Sequence, residues 1–217
     1  MARKTLLTCG ILSSLLYVVM NILGAMRFEG YSITAQSVSE LSAIGASSRP
    51  LWVALGIPYD VLVLAFGLGV FASAYGKRAL RVAGCLLISY AVIGLPWMLF
   101  APMHLRGEAP TVSDTMHIVF AMVTVLVMMV AIAFAAAALG KRFRFYSIAT
   151  IVLLLAFGAL SGLDGPRVAA NLPTPLLGVW ERIDIALFLL WIVVLATALL
   201  RKKRGAEHIN PALIAAS

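Results

Sequence analysis

Apolar residues along this chain gather into six long runs separated by short polar connections. The runs are roughly Leu6–Met26, Leu51–Tyr75, Leu80–Met103, Thr115–Leu139, Tyr146–Leu163 and Ile183–Leu200. A bilayer hydrocarbon core about 30 Å thick takes about 20 apolar residues of helix to cross. The pattern therefore predicts an all-α, polytopic membrane protein: a six-helix transmembrane bundle over residues 1–200 and a short basic tail over 201–217. The first run follows Arg3 and Lys4, as the apolar part of a signal peptide would. It is long and no Ala-x-Ala-like cleavage site ends it, so it is read as a retained first helix.

Composition agrees with lipid as the solvent. The chain is 62% hydrophobic and 12% charged, with a mean hydropathy of +1.01. A soluble domain of this size carries roughly twice that charge. The net charge of +8 does not point to nucleic acid, because the basic residues sit in short clusters between apolar runs and form no stripe. Cys9 and Cys85 make no metal-ligand spacing and read as small buried hydrophobes.

The clusters set an orientation. Arg3 and Lys4, then Lys77, Arg78 and Arg81, then Lys141, Arg142 and Arg144, then Arg201 to Arg204 all fall at one end of the predicted helices. Arg27, Arg49, Arg106, Arg167 and Arg182 fall at the other. The positive-inside rule puts the first set, and with it both termini, in the cytoplasm. Nearly every acidic residue then lies in the outer half, Glu207 being the exception, as do His104 and His117. The expected home is the cell membrane, the inner membrane where there are two, with any chemistry on the extracytoplasmic side.

Four polar segments carry the candidate chemistry. In the first outer connection, Ser37-Val38-Ser39-Glu40 fits a capping box, in which Ser37 and Glu40 satisfy each other's backbone N–H groups. With Gly45 as a stop, a short amphipathic helix of about two turns is expected, with Val38, Leu41 and Ile44 on one face. It serves either as simple capping or as a lid whose hydroxyls and Glu40 touch a ligand. Asp60 falls within the second run, about 25 Å from its cytoplasmic end at 1.5 Å per residue. An ionisable group at that depth faces a cavity or a partner, and Arg182 is the expected partner. Asp114 and His117 share a face at the start of the fourth helix, near His104. They suit a hydrogen-bonding pocket, zinc, or, for Asp114, a cap begun by Thr111; no metal is assigned. Thr174-Pro175 is expected to open the last helix, placing Glu181, Arg182 and Asp184 at its outer end. They either anchor the helix at the interface or turn inward. Gly158 to Gly162 is expected to permit close helix packing.

The segments Tyr31-Ser32, Ser37-Val38-Ser39-Glu40-Leu41, Asp114 to His117 and Gly178-Val179-Trp180-Glu181-Arg182-Ile183 resemble those of a family of bacterial and archaeal six-helix membrane proteins, catalogued as domain of unknown function 998. The resemblance reaches to about Leu200 and implies a six-helix fold with recurring polar segments on the outer face. It implies no activity and no cofactor.

The function read from these residues is binding: a pocket at the outer leaflet for a lipid head group or a small polar molecule. Its expected residues are Asp60, His117, Glu181 and Arg182, with Tyr31, Ser37, Ser39, Glu40 and Asp114 at its lid and rim. The lipid bilayer is the one partner the pattern itself demands. The alternatives are a membrane-embedded hydrolase, metal-dependent or not, and a structural or partner-assembly protein.

Overall fold

The computed structural model describes residues 1–201. The expected basic tail, with Glu207 and His208, lies outside the described residues. Five long helices, α1 (Ala2–Arg27), α2 (Arg49–Ala72), α3 (Arg78–Phe100), α4 (Val112–Ala138) and α5 (Lys141–Leu163), lead to a single turn, α6 (Gly165–Ala169), and a last long helix, α7 (Leu177–Arg201). Six of these are long and apolar enough to cross a membrane, and the chain is an integral membrane protein. The helices α1, α4, α5 and α7 are longer than their apolar runs. α5 begins at Lys141 and α7 at Leu177, because amphipathic residues continue each helix into the interface before lipid begins.

The helices pack in chain order as a ring: α1 on α2, α2 on α3, α3 on α4, α4 on α5, α5 on α7, and α7 back on α1. Short antiparallel connections make chain neighbours space neighbours. The closest approaches use glycine. A side chain on Gly84 of α3 would run into the Phe71 backbone of α2, and Gly67 faces Ile88 and the Gly84 carbonyl in return. Gly69 lies against the Leu6 backbone of α1. The expected close-packing segment of α5 does not serve this way. Gly158 and Gly162 meet nothing within 4 Å, since α5 turns that side of its helix away from the bundle.

The two ends of the bundle differ. One end is plugged by an apolar cluster that includes Leu7, Phe66, Val70, Leu80, Ile132, Trp191 and Leu195. Basic side chains finish that end by donating to helix-terminal carbonyls: Arg3 to Leu199 at 3.2 Å and Lys77 to Ala138 at 3.0 Å. Cations are favoured there by the helix dipole. The other end is covered by the three long connections, residues 28–48, 101–111 and 164–176, which are tied together as a cap.

Candidate functional site

The cap is built around Glu40. Its side chain is 0% exposed, yet every oxygen is used. One oxygen accepts from the Ser37 N–H at 2.7 Å and from the Ser37 hydroxyl at 3.1 Å. Arg106 donates to both oxygens, at 2.6 and 3.0 Å. The capping-box contacts thus exist, but no two-turn amphipathic helix follows. Ser39–Ser42 forms a single 3-10 turn and Ala43 is already extended. The reason is tertiary: Ile44 leaves the helical path to bond the Met103 carbonyl at 2.8 Å. Val38 and Leu41 are buried while Ile44 is exposed.

Arg106 binds the remaining connections. It donates to the Thr174 hydroxyl at 2.7 Å and to the Ala35 carbonyl at 3.0 Å. Thr174 in turn donates to the same carbonyl at 2.8 Å. Thr174 therefore does not open α7, which starts at Leu177; its hydroxyl is taken by the cap. Gly178 admits the first connection against α7, since a Cβ there would run into the carbonyl oxygens of Ile33 and Gln36.

Arg182 also belongs to the cap, and its expected pairing with Asp60 does not occur. Its guanidinium donates to the carbonyls of Ile33, Gln36 and Gly178 and to the Tyr31 hydroxyl at 2.7 Å. Those oxygens lie nearer the helix end than Asp60, and the long side chain reaches up to them. The Tyr31 hydroxyl in turn donates to the Ser37 carbonyl at 2.7 Å. Burial pushes its phenol up to about 12 against the opposing pull of Arg182, so it remains a neutral relay in this network. Asp114 is likewise spent on structure. It accepts from the backbone N–H groups of His104 and Thr111 at 2.7 and 2.8 Å and pairs with the His104 ring at 3.0 Å. Thr111 and Asp114 complete a capping box that starts α4.

Beneath the cap lies a cavity of about 250 Å³. Val38, Ser39 and Ser42 form part of its roof, and Met128, Phe188 and Leu189 line its deeper wall. Asp60 from α2, His117 from α4, and Glu181 and Asp184 from α7 all line it. Gly94 of α3 makes room for Asp60, since a Cβ there would come within 2.6 Å of its carboxylate oxygen. Glu181 reaches up to accept the Val38 N–H at 2.7 Å. Among the described residues, the side chains of Asp60 and Asp184 make no hydrogen bond or ion pair, and no Lys or Arg lines the cavity.

His117 is 8% exposed. Its Nδ1 lies 2.9 Å from the Ala101 carbonyl and 3.0 Å from the Trp97 indole nitrogen. Its Nε2 has no partner, and neither do Thr124 Oγ1 and Asp184 Oδ1. All three residues line this cavity. Buried polar atoms are nearly always paired, so three orphans on one cavity mark a place where something else supplies the partner. No group of three or more His, Cys, Asp or Glu side chains among the described residues is placed to hold a metal ion.

The structure thus divides the residues expected at the site. Asp60, His117, Glu181 and Ser39 share the cavity; Tyr31, Ser37, Glu40 and Arg182 build the cap; Asp114 caps α4. Sequence reasoning missed Arg106 as the partner of Glu40, and Asp184, Thr124 and Trp97 as cavity residues. Only Asp184 had a signal, standing three residues after Glu181 on the same helix face.

No curated protein and no solved structure matches this chain. Residues 11–198 match the family model described as protein of unknown function DUF998, and the chain belongs to that family.

Proposed function

We propose that this protein binds a lipid head group or a small polar molecule in the cavity beneath the cap, and that the cap faces the extracytoplasmic side of the cell membrane. The observation that carries the reading is the set of unpartnered polar atoms, His117 Nε2, Thr124 Oγ1 and Asp184 Oδ1, on one cavity. A pocket lined mainly by apolar and aromatic side chains with a few convergent polar groups is the usual form of a small-molecule site. The cap roofs that pocket, and its internal hydrogen bonds hold it as a lid rather than as ligand groups. The basic residues, which gather at the end opposite the cap, support this orientation.

Native mass spectrometry of the protein released from its own membrane tests the binding reading. The native protein retains one molecule, and Ala121→Trp, which fills the cavity from α4, does not. Equal retention by both proteins, or none by either, overturns the reading. Orientation has its own test in a background with Cys9 and Cys85 changed to serine. A cysteine at Ala109 or Ala170 reacts with an impermeant thiol reagent applied to intact cells, and one at Arg142 does not. The reverse pattern turns the site to the cytoplasm.

A further inference from the structure

We propose that the ligand is an organic cation whose ammonium group is held among Asp60, Glu181 and Asp184; this rests on the binding reading above. The cavity is lined by three carboxylates and by no Lys or Arg. The guanidiniums nearby are committed elsewhere: Arg106 to Glu40, Arg182 to the cap carbonyls, and Arg49 to the Ser42 carbonyl at 2.5 Å. An anion entering here meets only like charge. A neutral ligand leaves the carboxylates uncompensated at a depth where unpaired charge is expensive. A cation supplies the charge that the protein withholds.

The rest of the lining says which kind of cation. The carboxylates do not converge with His117 as a set of three or more side-chain ligands among the described residues, which favours a ligand larger than a bare metal ion. Instead, aromatic side chains line much of the cavity. Tyr17 packs against Trp52 and Tyr59 with ring centroids 5.9 and 5.0 Å apart, and Trp97 lines the wall beside His117. Aromatic faces beside carboxylates are the chemistry that holds an ammonium bearing apolar substituents. The orphaned Thr124 hydroxyl and His117 Nε2 can bond a hydroxyl or amine on the same ligand. The volume of about 250 Å³ is compact, near the lower end of ligand pockets at about 300 Å³, and suits one small head. That head belongs either to a membrane lipid or to a free amine.

The test uses choline and its uncharged isostere 3,3-dimethylbutanol on the full chain in nanodiscs of phosphatidylglycerol. Binding is read by thermal unfolding and by tryptophan fluorescence, since Trp52 and Trp97 both line the cavity. Choline is expected to bind about tenfold or more tightly than the isostere, the ratio that a cation–aromatic contact supplies. Asp60→Asn with Asp184→Asn abolishes that preference. Repeating the titration in phosphatidylcholine nanodiscs separates the sources: a raised apparent Kd for choline identifies the lipid head, and an unchanged one the free amine. Equal binding of choline and isostere overturns the cation proposal and leaves the pocket standing. So does a retained native molecule that carries no ammonium group. Absence of choline binding in both bilayers also overturns it, while the retained molecule judges the binding reading separately.

Discussion

Cap and cavity meet at Val38, yet they treat charge in opposite ways. In the cap, Glu40 and Arg106 are drawn out of water together and each finds further partners in Ser37, Thr174 and Ala35. Below it, Asp60 and Asp184 are taken into the bundle with nothing opposite them. Buried charge that is paired is architecture, and removing one member leaves the other stranded. Buried charge that is left unpaired works against folding, and within a membrane marks function. The contrast separates residues that hold the fold from residues that the binding proposal assigns to a ligand.

The largest effect expected is on the cap pair. Glu40→Gln strands the mostly buried Arg106 guanidinium and should cost about 3–5 kcal/mol, read as thermal unfolding in detergent. Glu40→Gln combined with Arg106→Gln should cost less than the sum of the two single changes. Simple addition would show that the two side chains act independently.

Gly178→Ala comes next. Its methyl group meets the carbonyls of Ile33 and Gln36, and overpacking of this kind costs about 1–3 kcal/mol. The first connection should lift from α7, and hydrogen exchange at Ser32 to Val38 should rise. Unchanged exchange there would mean that the cap is not seated on this glycine.

The six spanning helices were legible because lipid imposes one pattern, about 20 apolar residues at a time. Asp60 stood out for the same reason, as a polar residue where lipid tolerates few, and His117 stood out by its spacing from Asp114. What the sequence hid was pairing. Arg182 and Arg106 look alike as arginines of the outer half, and only the folded path of residues 28–48 shows that Glu40 takes Arg106 while Arg182 takes carbonyls. That path is also why the amphipathic helix stops after one turn: Ile44 finds a backbone partner in another connection. The glycines of α5 misled in the same manner, since spacing cannot tell a packed face from one that meets nothing.

The most direct test of the division between cap and cavity is the stability of Asp60→Asn combined with Asp184→Asn, measured by thermal unfolding in detergent without added ligand. Both changes remove a charge that has no partner and keep the shape of the side chain. The account predicts a protein at least as stable as the native one, well above Glu40→Gln in the same detergent. A loss comparable to that of Glu40→Gln would contradict it, because the cavity carboxylates would then be holding the fold together.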